Sequence, residues 1–306
     1  GQPGENFAIF TRAIRDAKSR GYRILVSVAK APTWTRSSST GLDGPPDNPE
    51  DLAAFLELLL DAVGSDIDAI EIWNEPNVRR EWDTDALEFN GAGYMQLFAA
   101  AYDAIRAFPR QITIVTGGLA PTATTAQSIN DRTYLRQMYR AGLEDYKDIS
   151  IGVHPYSWSN APEERCCDPS GAGWDDQRQF FMLDTLSAYR AIMREYNHTF
   201  RKLWATEFGW ATWQDLPATA PESWMTHLTA DQQANYILDA FRIAQGLDFM
   251  GPMFLWNLNF ANTQTVESNT EYVGYSLLYS VSETTVVERP VYRALVEKRE
   301  DLGGTR

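Results

Sequence analysis

Ile70-Glu71-Ile72-Trp73-Asn74-Glu75-Pro76-Asn77 is the stretch that decides the fold. With the residues just before it, it forms a strand candidate over 67–73, short, mostly apolar and rich in β-branched side chains, as expected where both faces of a sheet are covered. It ends in a polar pair, Asn74-Glu75. Pro76 then fixes its own φ and removes a ladder donor, so the strand stops there.

Working outward, similar runs recur at 22–28, 112–116, 149–153, 202–206 and 251–256. Helical stretches lie between or after them near 5–20, 48–63, 92–107, 131–142, 176–196, 230–246 and 290–299. In the first of these, Phe7, Phe10, Ile14 and Ala17 keep helical spacing before Gly21. In the second, Asn48-Pro49-Glu50-Asp51 opens a helix with proline in its first turn. Strands alternating with helical crossovers predict an α/β fold with a parallel sheet and right-handed connections. The expectation is a (β/α)8 TIM barrel. Six strands are countable where a closed barrel needs eight, and the two missing βα units would precede residue 5. The chain is thus read as one catalytic barrel domain over 1–306, N-terminally incomplete. Its open sheet edges would invite self-association.

Composition narrows the partners. A net charge of −14 and a pI of about 4.7 repel phosphate backbones, which excludes nucleic acid as a natural partner. No apolar run reaches the length of a membrane span. Gly1-Gln2-Pro3-Gly4 does not read as a signal peptide, which leaves secreted and cytoplasmic locations both open. Cys166 and Cys167 are adjacent, so a bond between them closes only a tiny ring and cross-links nothing. His154, His198 and His227 are scattered, and nothing in their spacing resembles a zinc site.

A second string, Lys202-Leu203-Trp204-Ala205-Thr206-Glu207-Phe208-Gly209-Trp210, repeats the pattern of the first. An apolar run ends in a lone carboxylate, and a glycine lets the backbone turn. In a parallel barrel, side chains at the C-terminal strand ends reach the site mouth. Two glutamates there are what a double-displacement glycosidase requires: one attacks the anomeric carbon while the other protonates the leaving oxygen and later activates water. Such carboxyls should lie about 5–5.5 Å apart. Two carboxyls suffice for this chemistry, so neither metal nor organic cofactor is expected.

The strings Trp73-Asn74-Glu75-Pro76 and Thr206-Glu207-Phe208-Gly209 resemble the clan of retaining (β/α)8-barrel glycoside hydrolases, whose catalytic residues end strands four and seven. Within that clan the likeness is greatest to the family 39 group of β-xylosidases, α-L-iduronidases and exopolysaccharide hydrolases. Pro32-Thr33-Trp34 after strand three, His154-Pro155-Tyr156 after strand six and Trp256 on strand eight extend it over most of 5–300. The resemblance implies a retaining glycosidase acting on a carbohydrate, with Glu75 as acid/base, Glu207 as nucleophile and Asn74 as donor to the sugar 2-hydroxyl. Strands one and two of such enzymes have no counterpart here. The alternative is accordingly a carbohydrate-binding descendant impaired in catalysis.

Around these two glutamates, Tyr156 is expected to hydrogen-bond Glu207, and His154 to position substrate or the acid/base region. Trp256 is expected to form a platform under the sugar, with Trp34 and Trp210 as weaker candidates, because a flat aromatic face covers the C–H face of a pyranose. Trp158 and Trp174 flank a long loop, 157–175, that either shapes a subsite or simply packs. Glu75, set against Trp73 and Pro76, should have the higher pKa, and Glu207, held by Tyr156 and any nearby arginine, the lower. Lys30, after strand 22–28, raises one enzymatic rival, a Schiff-base lyase on the same scaffold.

Overall fold

The computed structural model describes residues 4–38, 40–167 and 175–302. Among them six strands form the main sheet: β1 (Leu25–Val28), β2 (Ala69–Ile72), β3 (Thr113–Thr116), β4 (Ile149–Val153), β5 (Leu203–Phe208) and β6 (Met250–Leu255). Their order in the sheet is their order in the chain. Each expected strand is found, within a few residues of its predicted ends. The long helices also match: α1 (Glu5–Ser19), α2 (Pro49–Val63), α3 (Gly91–Ala107), α4 (Asp131–Arg140), α5 (Met182–Glu195), α6 (Ala230–Gln245) and α8 (Pro290–Lys298). The segment before residue 182, expected to belong to α5, contains only a short 3-10 turn at Arg178–Phe180.

The chain forms two compact units. One comprises the residues up to Val153 together with Tyr189–Trp204; the other comprises His154–Ala188 and the residues from Ala205 onward.

In unit one, β1 to β4 pair in parallel, with Val28 beside Ile72 and Ile72 beside Thr116. Every position of β2 and β4 is buried, which accounts for their mostly apolar character; the polar exceptions are Ser150 and Glu71, whose carboxylate accepts the Gly118 N–H. β1 is only partly covered, with Ser27 exposed. α2 begins as expected: the Asn48 side chain accepts from the Glu50 N–H, Pro49 occupies the first turn, and Glu50 and Asp51 face the positive helix end. Leu52, Leu56, Leu59, Leu60 and Val63 form its buried stripe. Each such side chain contributes roughly 1.5–3 kcal/mol through burial. α1 is a different case. Of its residues only Thr11 is buried, and Ile9 and Phe10 face solvent.

In unit two, α6 starts with a capping box in which Thr229 and Gln232 satisfy each other's backbone N–H groups. A second, small sheet of β7 (Ala261–Asn262), β8 (Leu278–Ser280) and β9 (Val286–Glu288), with the short α7 (Thr263–Glu267), was not expected. Arg289, just before α8, is 1% exposed. It pairs with Asp215 at 2.9 Å and donates to the carbonyls of Thr212, Gly274 and Ser276 at 2.8, 3.1 and 2.7 Å. A buried guanidinium is tolerated only with this degree of satisfaction. Here it ties the long β5–α6 connection to the segment that enters α8. Among the described residues, no helix is long and apolar enough to cross a membrane.

Candidate active site

In unit one the backbone around Glu75 is held on every side. The Trp73 N–H donates to the Val28 carbonyl at 2.9 Å and the Glu75 N–H to the Gly118 carbonyl at 3.0 Å. Asn77 locks the turn beyond Pro76: its amide donates to the Ala120 and Ile129 carbonyls and accepts from the Ala120 N–H, all at 2.9 Å. The buried Tyr94 hydroxyl donates to the Ile72 carbonyl and accepts from the Gly117 N–H, joining α3 to the ends of β2 and β3. Gly117 is required at its position, because a Cβ there would lie 2.8 Å from the Trp73 carbonyl oxygen.

This frame sustains an uncommon backbone. Lys30, Trp73 and Glu75 all have positive φ, at 63°, 71° and 40°. Non-glycine residues reach this region at an energetic cost and persist there only where their surroundings over-determine them. All three lie just beyond the C-terminal ends of the adjacent strands β1 and β2, where the sequence places chemistry.

The Glu75 side chain is 8% exposed and pairs with Arg80, Nη2 to Oε2 at 2.5 Å. Arg80 belongs to a 3-10 turn at Arg79–Glu81, and its Nε lies 4.0 Å from the Glu81 carboxylate. The Glu81 backbone carbonyl accepts the Trp73 indole N–H at 2.9 Å, which fixes this turn against the strand end. Burial, reinforced by the negative charge of Glu75, pushes the Glu81 carboxyl up to about 7. The sequence reading set Glu75 against Trp73 and Pro76 and did not foresee the guanidinium that pairs with it. Arg80 and Glu81 escaped sequence reasoning. Their only signal was a charged triplet, Arg79-Arg80-Glu81, a few residues beyond Pro76.

Lys30 lies beyond the end of β1 and pairs with Asp43 at 2.8 Å; its side chain is 61% exposed. That hydrogen bond raises its pKa. A Schiff-base lysine needs the opposite, a desolvated amine with a depressed pKa. Trp34, in the 3-10 turn Thr33–Thr35, is 81% exposed and offers an open ring face. Asn74 is partly buried next to Glu75.

In unit two Glu207 is a quarter exposed. The Tyr156 hydroxyl donates to its Oε2 at 2.9 Å, as expected, and the Nδ1 of the fully buried His154 lies 3.9 Å from the same oxygen. Gly209 permits the turn after the strand, since a Cβ there would lie 2.8 Å from the Trp256 carbonyl oxygen. Trp256 is partly exposed and is held edge-on by Tyr275, Tyr272 and Phe260 at 5.5–6.3 Å between ring centres. Its neighbour Asn257 is buried and anchored by the Ser276 hydroxyl and the Tyr272 carbonyl.

Trp210 does not fit its expected role. It is 1% exposed and its indole N–H donates to the Asn160 carbonyl at 2.8 Å, so it is a core residue with no face to offer a sugar. Trp158 likewise packs edge-on against Trp224 and Phe180, in the apolar cluster that includes Met225 and Val273. Cys166 and Cys167 are bonded to each other. Trp174 lies outside the described residues.

No protein-family model matches this chain, and no curated protein matches it by sequence. Solved structures do. A family 39 glycoside hydrolase from Bacteroides cellulosilyticus is 16% identical, with a TM-score of 0.67 over 96% of this chain and 53% of that one. The GH53 catalytic domain of Ignisphaera aggregans is 16% identical, with a TM-score of 0.62 over 94% of this chain and 77% of that one. A monomeric beta-xylosidase from Caulobacter crescentus is 14% identical, with a TM-score of 0.57 over 94% and 55%. The chain spans about half the length of the first of these. At such identities the likeness establishes the fold, an α/β architecture with the strand order of a partial (β/α)8 barrel.

Proposed function

We propose that this chain is the catalytic part of a retaining glycoside hydrolase acting on a carbohydrate, with Glu207 as nucleophile and Glu75 as acid/base. The observation that carries the reading is a carboxyl group at the C-terminal end of each of two strands, β2 and β5, each provided with its own dedicated donor. The structural likeness to several glycoside hydrolases supports the same class of reaction.

In this reading Glu207 attacks the anomeric carbon as a carboxylate, and the Tyr156 hydroxyl stabilises its charge and aims its second oxygen. Glu75 gives a proton to the departing glycosidic oxygen. A covalent glycosyl ester on Glu207 results. Glu75, now a carboxylate, takes a proton from water, which attacks the same carbon and frees Glu207; configuration is retained after two inversions. Asn74 donates to the 2-hydroxyl, Trp256 and the open face of Trp34 take the sugar ring, and His154 orients Glu207. The whole chain serves as one catalytic domain.

The test is hydrolysis of p-nitrophenyl β-D-glucoside, β-D-xyloside and β-D-galactoside, with the anomer first formed read by proton NMR. Retention with at least one of them is expected. Formation of the inverted anomer would overturn the mechanism. Binding of these sugars without turnover would favour the impaired carbohydrate-binding alternative.

A further inference from the structure

The buried strand β2 carries a carboxyl that the reaction above does not use. Glu71 is 3% exposed, and its register neighbours in β1 and β3 are Ser27 and Val115. A carboxyl in such a place costs free energy unless its oxygens meet donors. Its Oε1 accepts the Gly118 N–H at 2.9 Å, in a buried hydrogen bond. Gly118 is the third residue beyond Val115, so the side chain reaches forward along the sheet to the loop that follows β3. There the Gly117 N–H is held by the Tyr94 hydroxyl at 2.8 Å. Between them, Tyr94 and Glu71 fix two consecutive peptide N–H groups that lie past Thr116, the last residue of β3.

The carbonyl of the same residue reaches the proposed acid/base. The Gly118 carbonyl accepts the Glu75 N–H at 3.0 Å, and Glu75 has a positive φ of 40°. A non-glycine residue stays there only where its neighbours leave it no alternative. One line of contacts thus runs from the Glu71 carboxyl through Gly118 to the Glu75 backbone. Close packing reinforces it. A Cβ on Gly152 of the neighbouring β4 would lie 2.9 Å from the Gly118 nitrogen, so Gly118 has little room to shift. We propose that Glu71 is a positioning residue which, by gripping Gly118, sets where Glu75 presents its carboxyl. An apolar side chain could fill the same space in β2, but it would leave the Gly118 N–H unsatisfied and release this link. Aspartate would stop one methylene short. Glutamine would keep an acceptor oxygen at the same reach.

The inference rests on the reading of Glu75 as the acid/base, and two measurements keep the two apart. Glu71→Leu, Glu71→Asp and Glu71→Gln are compared with wild type by amide hydrogen exchange at Glu75. Beside it, kcat/KM is measured on p-nitrophenyl and methyl β-D-glycosides of glucose, xylose and galactose, a good and a poor leaving group. The ratio of the two rates does not depend on how much of a preparation is folded, so a purely structural loss leaves it unmoved. In Glu71→Leu the Glu75 amide should exchange faster while those of β4 stay protected. The poor leaving group should lose roughly a hundredfold relative to the good one. Glu71→Asp should change in the same direction, and it stands in for Glu71→Leu if that variant does not fold. Glu71→Gln should recover most of both losses. An unchanged Glu75 amide in Glu71→Leu and Glu71→Asp would overturn the proposal, as would loosening of β4 to the same degree. A Glu71→Gln that falls as far as Glu71→Leu would overturn it too. Faster exchange at Glu75 with an unchanged rate ratio would leave the grip on Glu75 standing and remove Glu75 as the acid.

Discussion

The two strand-end glutamates have the same local sequence logic and opposite surroundings. Glu75 is nearly enclosed, has a positive φ of 40° and meets a guanidinium. Glu207 lies within an ordinary strand, is a quarter exposed and meets a neutral phenol. A phenol hydroxyl stabilises a carboxylate without neutralising it, which suits a group that must remain ionised and then form and break an ester. A guanidinium neighbour favours the carboxylate form, the form in which the proposed mechanism has Glu75 take a proton from water. The two carboxyls thus differ both in burial and in the charge of the partner each meets.

The strongest way to break this contrast is Glu207→Ala. Turnover of every glycoside should fall on the order of 10⁴-fold or more, and no covalent adduct should form with a fluorinated slow substrate, as judged by intact mass. Appreciable residual turnover would place the nucleophile elsewhere.

Glu75→Ala should act selectively. Poor leaving groups should lose roughly 10²–10⁴-fold, activated aryl glycosides much less, and azide should restore rate by attacking the glycosyl ester as a nucleophile that needs no base, releasing a glycosyl azide. Azide rescue of Glu207→Ala but not of Glu75→Ala would exchange the two roles.

A finer probe is Tyr156→Phe, which removes one hydrogen bond to a charged oxygen. That bond accounts for about 1.5–3 kcal/mol, so kcat should drop roughly tenfold to a hundredfold with the fold intact. An unchanged kcat would show that the phenol does not support the charge on Glu207.

The smallest effect concerns stability. Glu81 is ordinarily acidic near 4.5 but reaches about 7 in the folded chain, so the folded state binds its proton more tightly than the unfolded one. Its contribution is complete at acidic pH and is lost as pH rises through about 7. Glu81→Gln should therefore melt a few degrees higher than wild type near pH 8 and show little difference near pH 5. A Tm difference equal at both pH values would mean that Glu81 is not titrating in the folded chain.

Much of this was legible in the linear chain, for reasons that particular residues make plain. β2 and β4 are buried throughout, so their apolar runs stand out, and Pro76 and Gly209 mark where each strand must stop. Tyr156 was legible because it closely follows β4. Arg80 was not, because it reaches Glu75 through a 3-10 turn, and no periodicity encodes where so short a turn folds back. Trp210 was misread because Gly209 redirects the chain, and alternation along β5 says nothing about side-chain direction beyond it. The small sheet was invisible for a plainer reason. Its strands have two or three residues, too few for any pattern to repeat.

Arg289 adds a consequence in time. Synthesis delivers the chain from its N-terminus, at roughly 5–20 residues per second, and units form as their parts emerge. The residues of unit one all lie at or before Trp204. In unit two, however, the carbonyls of Thr212, Gly274 and Ser276 and the carboxylate of Asp215 all wait for a guanidinium supplied at position 289. On the ribosome, the connection that follows Glu207 thus remains untied until position 289 has been made. A chain stopped ahead of Arg289 would leave the carbonyls of Thr212, Gly274 and Ser276 and the carboxylate of Asp215 without the guanidinium that ties them together.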